Sequence, residues 1–160
     1  MKRYLYSLCF IVALTGLSAC SKNNDPAPAA PVVGRWELNR GLLSGFTAPY
    51  TSINGVGLDL YNNGLFDSYS SRIDVLSDKS FVDNIKSGGS VGDGFGTWEY
   101  TNSQLTLTYD GGGQYVYTYS SAKGIEELTS TALEKISLPV SSTASSSTLA
   151  SGNLQVVYRK

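Results

Sequence analysis

Trp36, Trp98, Tyr100, Tyr109, Tyr115, Tyr117 and Tyr119 all fall in runs where apolar and polar residues alternate. On a strand, side chains two residues apart share a face and stand about 6.5–7 Å apart. Rings repeated in this way have two uses. They fill a core as cross-strand aromatic pairs. Alternatively, they wall a cavity in which tyrosyl hydroxyls add a few polar contacts for a small apolar or amphipathic ligand. Both readings stand at this level. For the second, Trp98, Tyr100, Tyr115, Tyr117 and Tyr119 are the candidate ligand-binding residues.

Covalent chemistry has little to work with. The chain contains no histidine, and its two cysteines, Cys9 and Cys20, precede the predicted domain. His/Cys zinc sites and Cys–His or Ser–His–Asp catalysis are therefore excluded there. Asp78 and Asp110 sit in turn sequences, where aspartate caps backbone groups. Asp74 and Asp83 alternate with apolar neighbours and are expected to face solvent, and no calcium loop of the Asp-x-Asp-x-Asp-Gly kind is present. Gly88-Gly89-Ser90-Val91-Gly92-Asp93-Gly94-Phe95-Gly96 lacks the lysine and the following helix of a phosphate loop, and reads as a flexible hairpin loop at a barrel mouth. The expectation is a domain with no catalytic residues, no metal and no cofactor. The charges are scattered, so no basic patch points to nucleic acid.

The N-terminus carries a different signal. Met1-Lys2-Arg3 leads an apolar run that ends in Leu17-Ser18-Ala19-Cys20. The run is shorter than the ~20 residues of a spanning helix, and strongly polar residues follow it. This is the make-up of a secretory signal. With the cysteine in that place, it resembles a bacterial lipobox. The resemblance implies cleavage after Ala19, a diacylglyceryl thioether on Cys20 and acylation of the new amino terminus. It further implies an outer-membrane lipoprotein, at the periplasmic face or the cell surface, because Ser21 rather than aspartate follows the cysteine. Residues 1–19 are then the signal, and residues 20–31 the lipidated cysteine with a Pro/Ala-rich tether. Loss of Lys2 and Arg3 takes the net charge from −1 to about −3.

Residues 32–160 must position the aromatic set, and their pattern is all-β. Trp36 and Leu38, Ile73 and Val75, Leu105 and Leu107, Tyr115 to Tyr119, and Leu154 to Tyr158 alternate with polar residues. Asp78-Lys79, Asn102-Ser103 and Asp110 to Gly113 separate strands as tight turns. Ala122 to Leu128 is the best, though poor, helix candidate. Gly41 to Ser71 is a long insertion in which Leu58, Leu60, Asn63-Gly64 and Leu65 predict an extra hairpin or lid. Ser141 to Gly152 reads as a mobile, solvated loop. About eight to ten antiparallel strands are expected, in a sandwich or barrel.

Gly34-Arg35-Trp36 resembles the Gly-x-Trp of the lipocalins. Ile73 to Phe81, Gly96-Thr97-Trp98-Glu99-Tyr100 and Gln104-Leu105-Thr106-Leu107-Thr108 resemble, in order and spacing, small bacterial lipocalin-like lipoproteins. The resemblance covers roughly Val33 to Tyr119. It implies an antiparallel up-and-down barrel of about eight strands, closed at one end by Trp36. The vertebrate pattern also has an arginine beside this tryptophan, for which Arg35 and Arg159 are the candidates. The expected function is a membrane-anchored barrel that binds a small apolar or amphipathic ligand in the envelope. The alternative is a non-catalytic interaction or structural module with a protein or glycan partner.

Overall fold

The computed structural model describes residues 29–143 and 146–160. The signal, Cys20 and most of the tether lie outside the described residues. Ten strands follow one another: β1 (Gly34–Ser44), β2 (Gly57–Leu58), β3 (Ser70–Val75), β4 (Ser80–Ser87), β5 (Ser90–Thr101), β6 (Gln104–Tyr109), β7 (Gln114–Ala122), β8 (Ile125–Ser130), β9 (Glu134–Thr143) and β10 (Ser146–Arg159). All pairings are antiparallel. β1-β3-β4-β5-β6-β7-β8-β10 close on themselves through β1–β10, giving an eight-stranded barrel, with β2 and β9 as two further strands.

Local sequence explains the hairpins. Gly88-Gly89, Asn102-Ser103 and Lys123-Gly124 all take positive φ in two-residue turns that match the strand twist. The last of these replaces the expected helix over Ala122 to Leu128 with the β7–β8 turn. Asp78 accepts hydrogen bonds from the backbone and hydroxyl of Ser80 (3.0 and 2.6 Å), which fixes the β3–β4 turn. Only Gly88-Gly89 of the glycine-rich segment is a loop; from Ser90 onward it is strand β5.

One end of the barrel is closed. Val32 is fully buried there, and the fully buried Trp36 donates its indole N–H to the Val32 carbonyl at 2.7 Å. Trp36 meets Tyr119 edge to face, and Tyr119 meets Tyr100 in the same way. The cation near Trp36 is neither arginine. Lys160 Nζ lies 5.4 Å from its ring, while Arg35 pairs with Asp74 and Arg159 with Glu127.

At the other end β1 and β10 run past the rim, and β2 and β9 pair with their overhanging halves. The segment expected as a solvated loop, Ser141 to Gly152, is therefore hairpin strand, apart from residues 144–145, which lie outside the described residues. A second core of Leu43, Phe46, Leu60, Leu138, Ala150 and Leu154 forms where the insertion packs on this arm. The insertion contains the short 3₁₀ turn Thr51–Ile53. The hairpin expected around Asn63-Gly64 does not form. Asp59 caps Tyr61 and Asn62, and Asn63 caps Leu65, so these side chains take up the backbone N–H groups a ladder would need. Asn54 clamps the segment by a reciprocal pair of bonds to the Phe46 backbone, at 2.8 and 2.9 Å.

Candidate functional site: a tyrosine-lined cavity

The site begins with glycines. Gly92, Gly94 and Gly96 stand opposite Ile85, Asp83 and Phe81 across β4–β5. At these positions the β5 face toward the barrel has no side chain; neighbours occupy the space at Gly94 and Gly96, and the space at Gly92 is open. A Cβ on Gly94 would fall 2.6 Å from the Tyr109 ring, and one on Gly96 would strike the Thr108 carbonyl and the Phe81 ring. Tyr109 thus lies over Gly94, edge to face with Phe81, and reaches β4.

The group it reaches is Asp83. The residue is 3% exposed, which corrects the expectation that it faces solvent. Tyr109 donates to Oδ2 at 2.7 Å and Ser71 to Oδ1 at 2.9 Å, and Tyr158 donates to the Ser71 hydroxyl at 2.9 Å. Tyr117 packs edge to face on Tyr158, and Tyr115 on Tyr109. Burial raises the phenol pKa values of Tyr109, Tyr117 and Tyr158 well above the ordinary value, and the Asp83 carboxylate pushes the same way. These hydroxyls are neutral donors at any physiological pH.

Around these residues lies a cavity of about 770 Å³ at the open end of the barrel. Tyr109, Tyr115, Tyr117 and Tyr158 wall it from the strands, and Leu154 and Val156 from the arm. Leu60, Phe66 and Tyr69 of the insertion complete it. The Gly88 N–H donates to the Asp67 carbonyl at 2.7 Å, which ties the insertion to the far rim. The segment therefore bridges the mouth from the arm to the β4–β5 turn.

The five aromatic candidates separate. Tyr115 and Tyr117 line the cavity, Tyr115 half exposed at the mouth and Tyr117 buried deeper. Trp98, Tyr100 and Tyr119 do not line it. Trp98 donates to the Leu76 carbonyl at 2.8 Å under Lys79, and the other two pack around Trp36. The reason is length: Tyr115 to Tyr119 share a face, but that face runs from the mouth to the closed end. Sequence reasoning left Ser71, Asp83, Tyr69 and Tyr158 out of the site. The parity of Phe81, Asp83 and Ile85 was the available signal, and Val82 on the opposite face obscured it.

Ser120 and Lys123 have a Ser-x-x-Lys spacing, yet both are exposed on the β7–β8 hairpin, away from the cavity. Among the described residues no group of three or more His, Cys, Asp or Glu side chains is placed to hold a metal ion. What the fold and site define is a closed antiparallel eight-stranded barrel with a tyrosine-lined cavity at one end. Compared with protein-family models, curated proteins and solved structures, the chain matches none.

Proposed function

We propose that this chain is a membrane-anchored lipoprotein whose lipocalin-like barrel binds a small ligand with an apolar or amphipathic body, and that it is not an enzyme. The observation that carries the reading is the cavity. Its volume lies within the ~300–1,000 Å³ of small-molecule sites, and apolar walls converge there on a few polar groups. A barrel of eight strands stands at the size where the interior either fills with side chains or holds one small ligand. Here the β5 glycines favour the second outcome at the open end, while Trp36 and Trp98 fill the closed one. The anchor rests on the Leu17 to Cys20 sequence, and Ser21 after the cysteine supports the outer membrane, at its periplasmic face or the cell surface, as the location.

Titration of the purified full chain with the neutral probe N-phenylnaphthylamine tests the cavity. Fluorescence should rise with micromolar affinity, and Tyr117→Ala should weaken binding by about 1–2 kcal/mol. No fluorescence rise with the parent chain up to the solubility limit of the probe would end the reading.

A further inference from the structure

The cavity has a marked charge asymmetry. Four of its lining residues are acids, Asp83 within and the exposed Asp93, Asp110 and Glu134 around the rim, and none is lysine or arginine. Asp83 is the informative one. Its two described partners, Tyr109 and Ser71, are neutral hydroxyls that fill two of the roughly four acceptor sites of a carboxylate. Among the described residues no cation comes within ion-pair distance of it. The other interior-facing groups packed near it are phenols and apolar side chains. Lys86, on the neighbouring strand position to Ile85, is exposed, and Lys135 is engaged by Asn153 at 2.8 Å. Among the described residues three acids have counter-charges, all of them more exposed than Asp83: Asp74 with Arg35 and Arg72, Glu126 with Lys160, and Glu127 with Arg40 and Arg159.

A buried carboxylate without a counter-charge is costly to maintain. Tyrosine faces around the same space attract a cation further through their ring quadrupoles. We infer that the cavity takes a cationic amphiphile, a protonated amine on an apolar body, with the ammonium at Asp83 and the body against Tyr117, Phe66 and Leu154. The same arrangement rejects fatty acids and other anions, whose headgroup would meet only acids and phenols. This inference rests on the ligand-binding reading of the cavity and adds the charge of the ligand to it.

The test is a matched series sharing one body: phenylbutylamine, phenylbutanol and phenylbutyrate, titrated calorimetrically into the full chain. The amine should bind at least about ten-fold more tightly than the alcohol, and the acid should bind more weakly than either. Asp83→Asn, which keeps the shape and one acceptor, should abolish the preference, so that the variant binds the amine no more tightly than it binds the alcohol. The parent series decides the matter even where that variant folds poorly. An amine that binds no better than the alcohol, or an acid that binds best, overturns the charge inference and leaves the ligand-binding reading in place. No binding by any of the three at millimolar concentration overturns both.

Discussion

Glu127 on β8 accepts Arg40 Nη1 of β1 at 2.8 Å and Arg159 Nη2 of β10 at 2.7 Å, so one carboxylate joins the three strands of the barrel's closing seam. Hydrogen bonds from the two guanidinium groups lower its pKa from 4.5 to about 2. A carboxylate depressed in the folded state stabilises the fold above its unfolded pKa, and that contribution is lost as pH falls through the folded pKa. Water still reaches the pair, so the contribution is about 1–2 kcal/mol, below the full linkage value. Glu127→Gln should lower the unfolding free energy measured by urea titration at neutral pH by that amount. The gap between variant and parent should close between about pH 4.5 and pH 2. A gap independent of pH would assign the effect to packing. Asp83 contrasts with Glu127 at the same scale: it is more buried, yet only hydroxyls meet it.

Strand β5 shows how an element makes a cavity by omission. Its alternate residues Gly92, Gly94 and Gly96 continue into Trp98 and Tyr100, so one strand face changes from empty to full along its length. The emptiness is used differently at each step. A Cβ at Gly96 would strike the Thr108 carbonyl, which is backbone and cannot turn aside, whereas a Cβ at Gly92 meets nothing within 4 Å. Gly96→Ala should therefore cost about 2–3 kcal/mol. Gly92→Ala should be neutral or stabilise by up to about 1 kcal/mol through the unfolded chain. Thermal melts of the two variants check this, and equal losses would show that flexibility rather than close approach selects these glycines.

At the scale of the whole molecule the barrel has two unlike ends. The closed end holds Val32, Trp36, Trp98, Tyr100 and Tyr119 in a packed core, near the point where the described chain begins. The open end carries the cavity, the arm of β1, β2, β9 and β10, and the bridging insertion. The described chain starts beside the closed-end core, where Ala30 packs against it. Cys20→Ala should leave an uncleaved, unlipidated precursor, read by intact mass and detergent partition. A variant that matured and partitioned like the parent would remove the anchor from this reading.

The all-β class and most of the hairpins were legible in the chain's order of residues, because alternation and turn chemistry are local. Asp78, Asn102-Ser103 and the Asp110 to Gly113 turn act within a few residues of themselves. The shared face of Tyr115, Tyr117 and Tyr119 was legible there too. Tertiary structure decided which end of that face is hollow, because the answer depends on which residues β4, β6 and the insertion bring across from it. Asp83 became an interior residue through the β4–β5 register that sets it opposite Gly94, and through the hydrogen bond from Tyr109, 26 residues away in sequence on a strand that β4 does not pair with. The described residues between Ser141 and Gly152 became strand for the same reason. Its serines and threonines look solvated alone, and the overhanging half of a long β10 supplies the partner that makes them a hairpin.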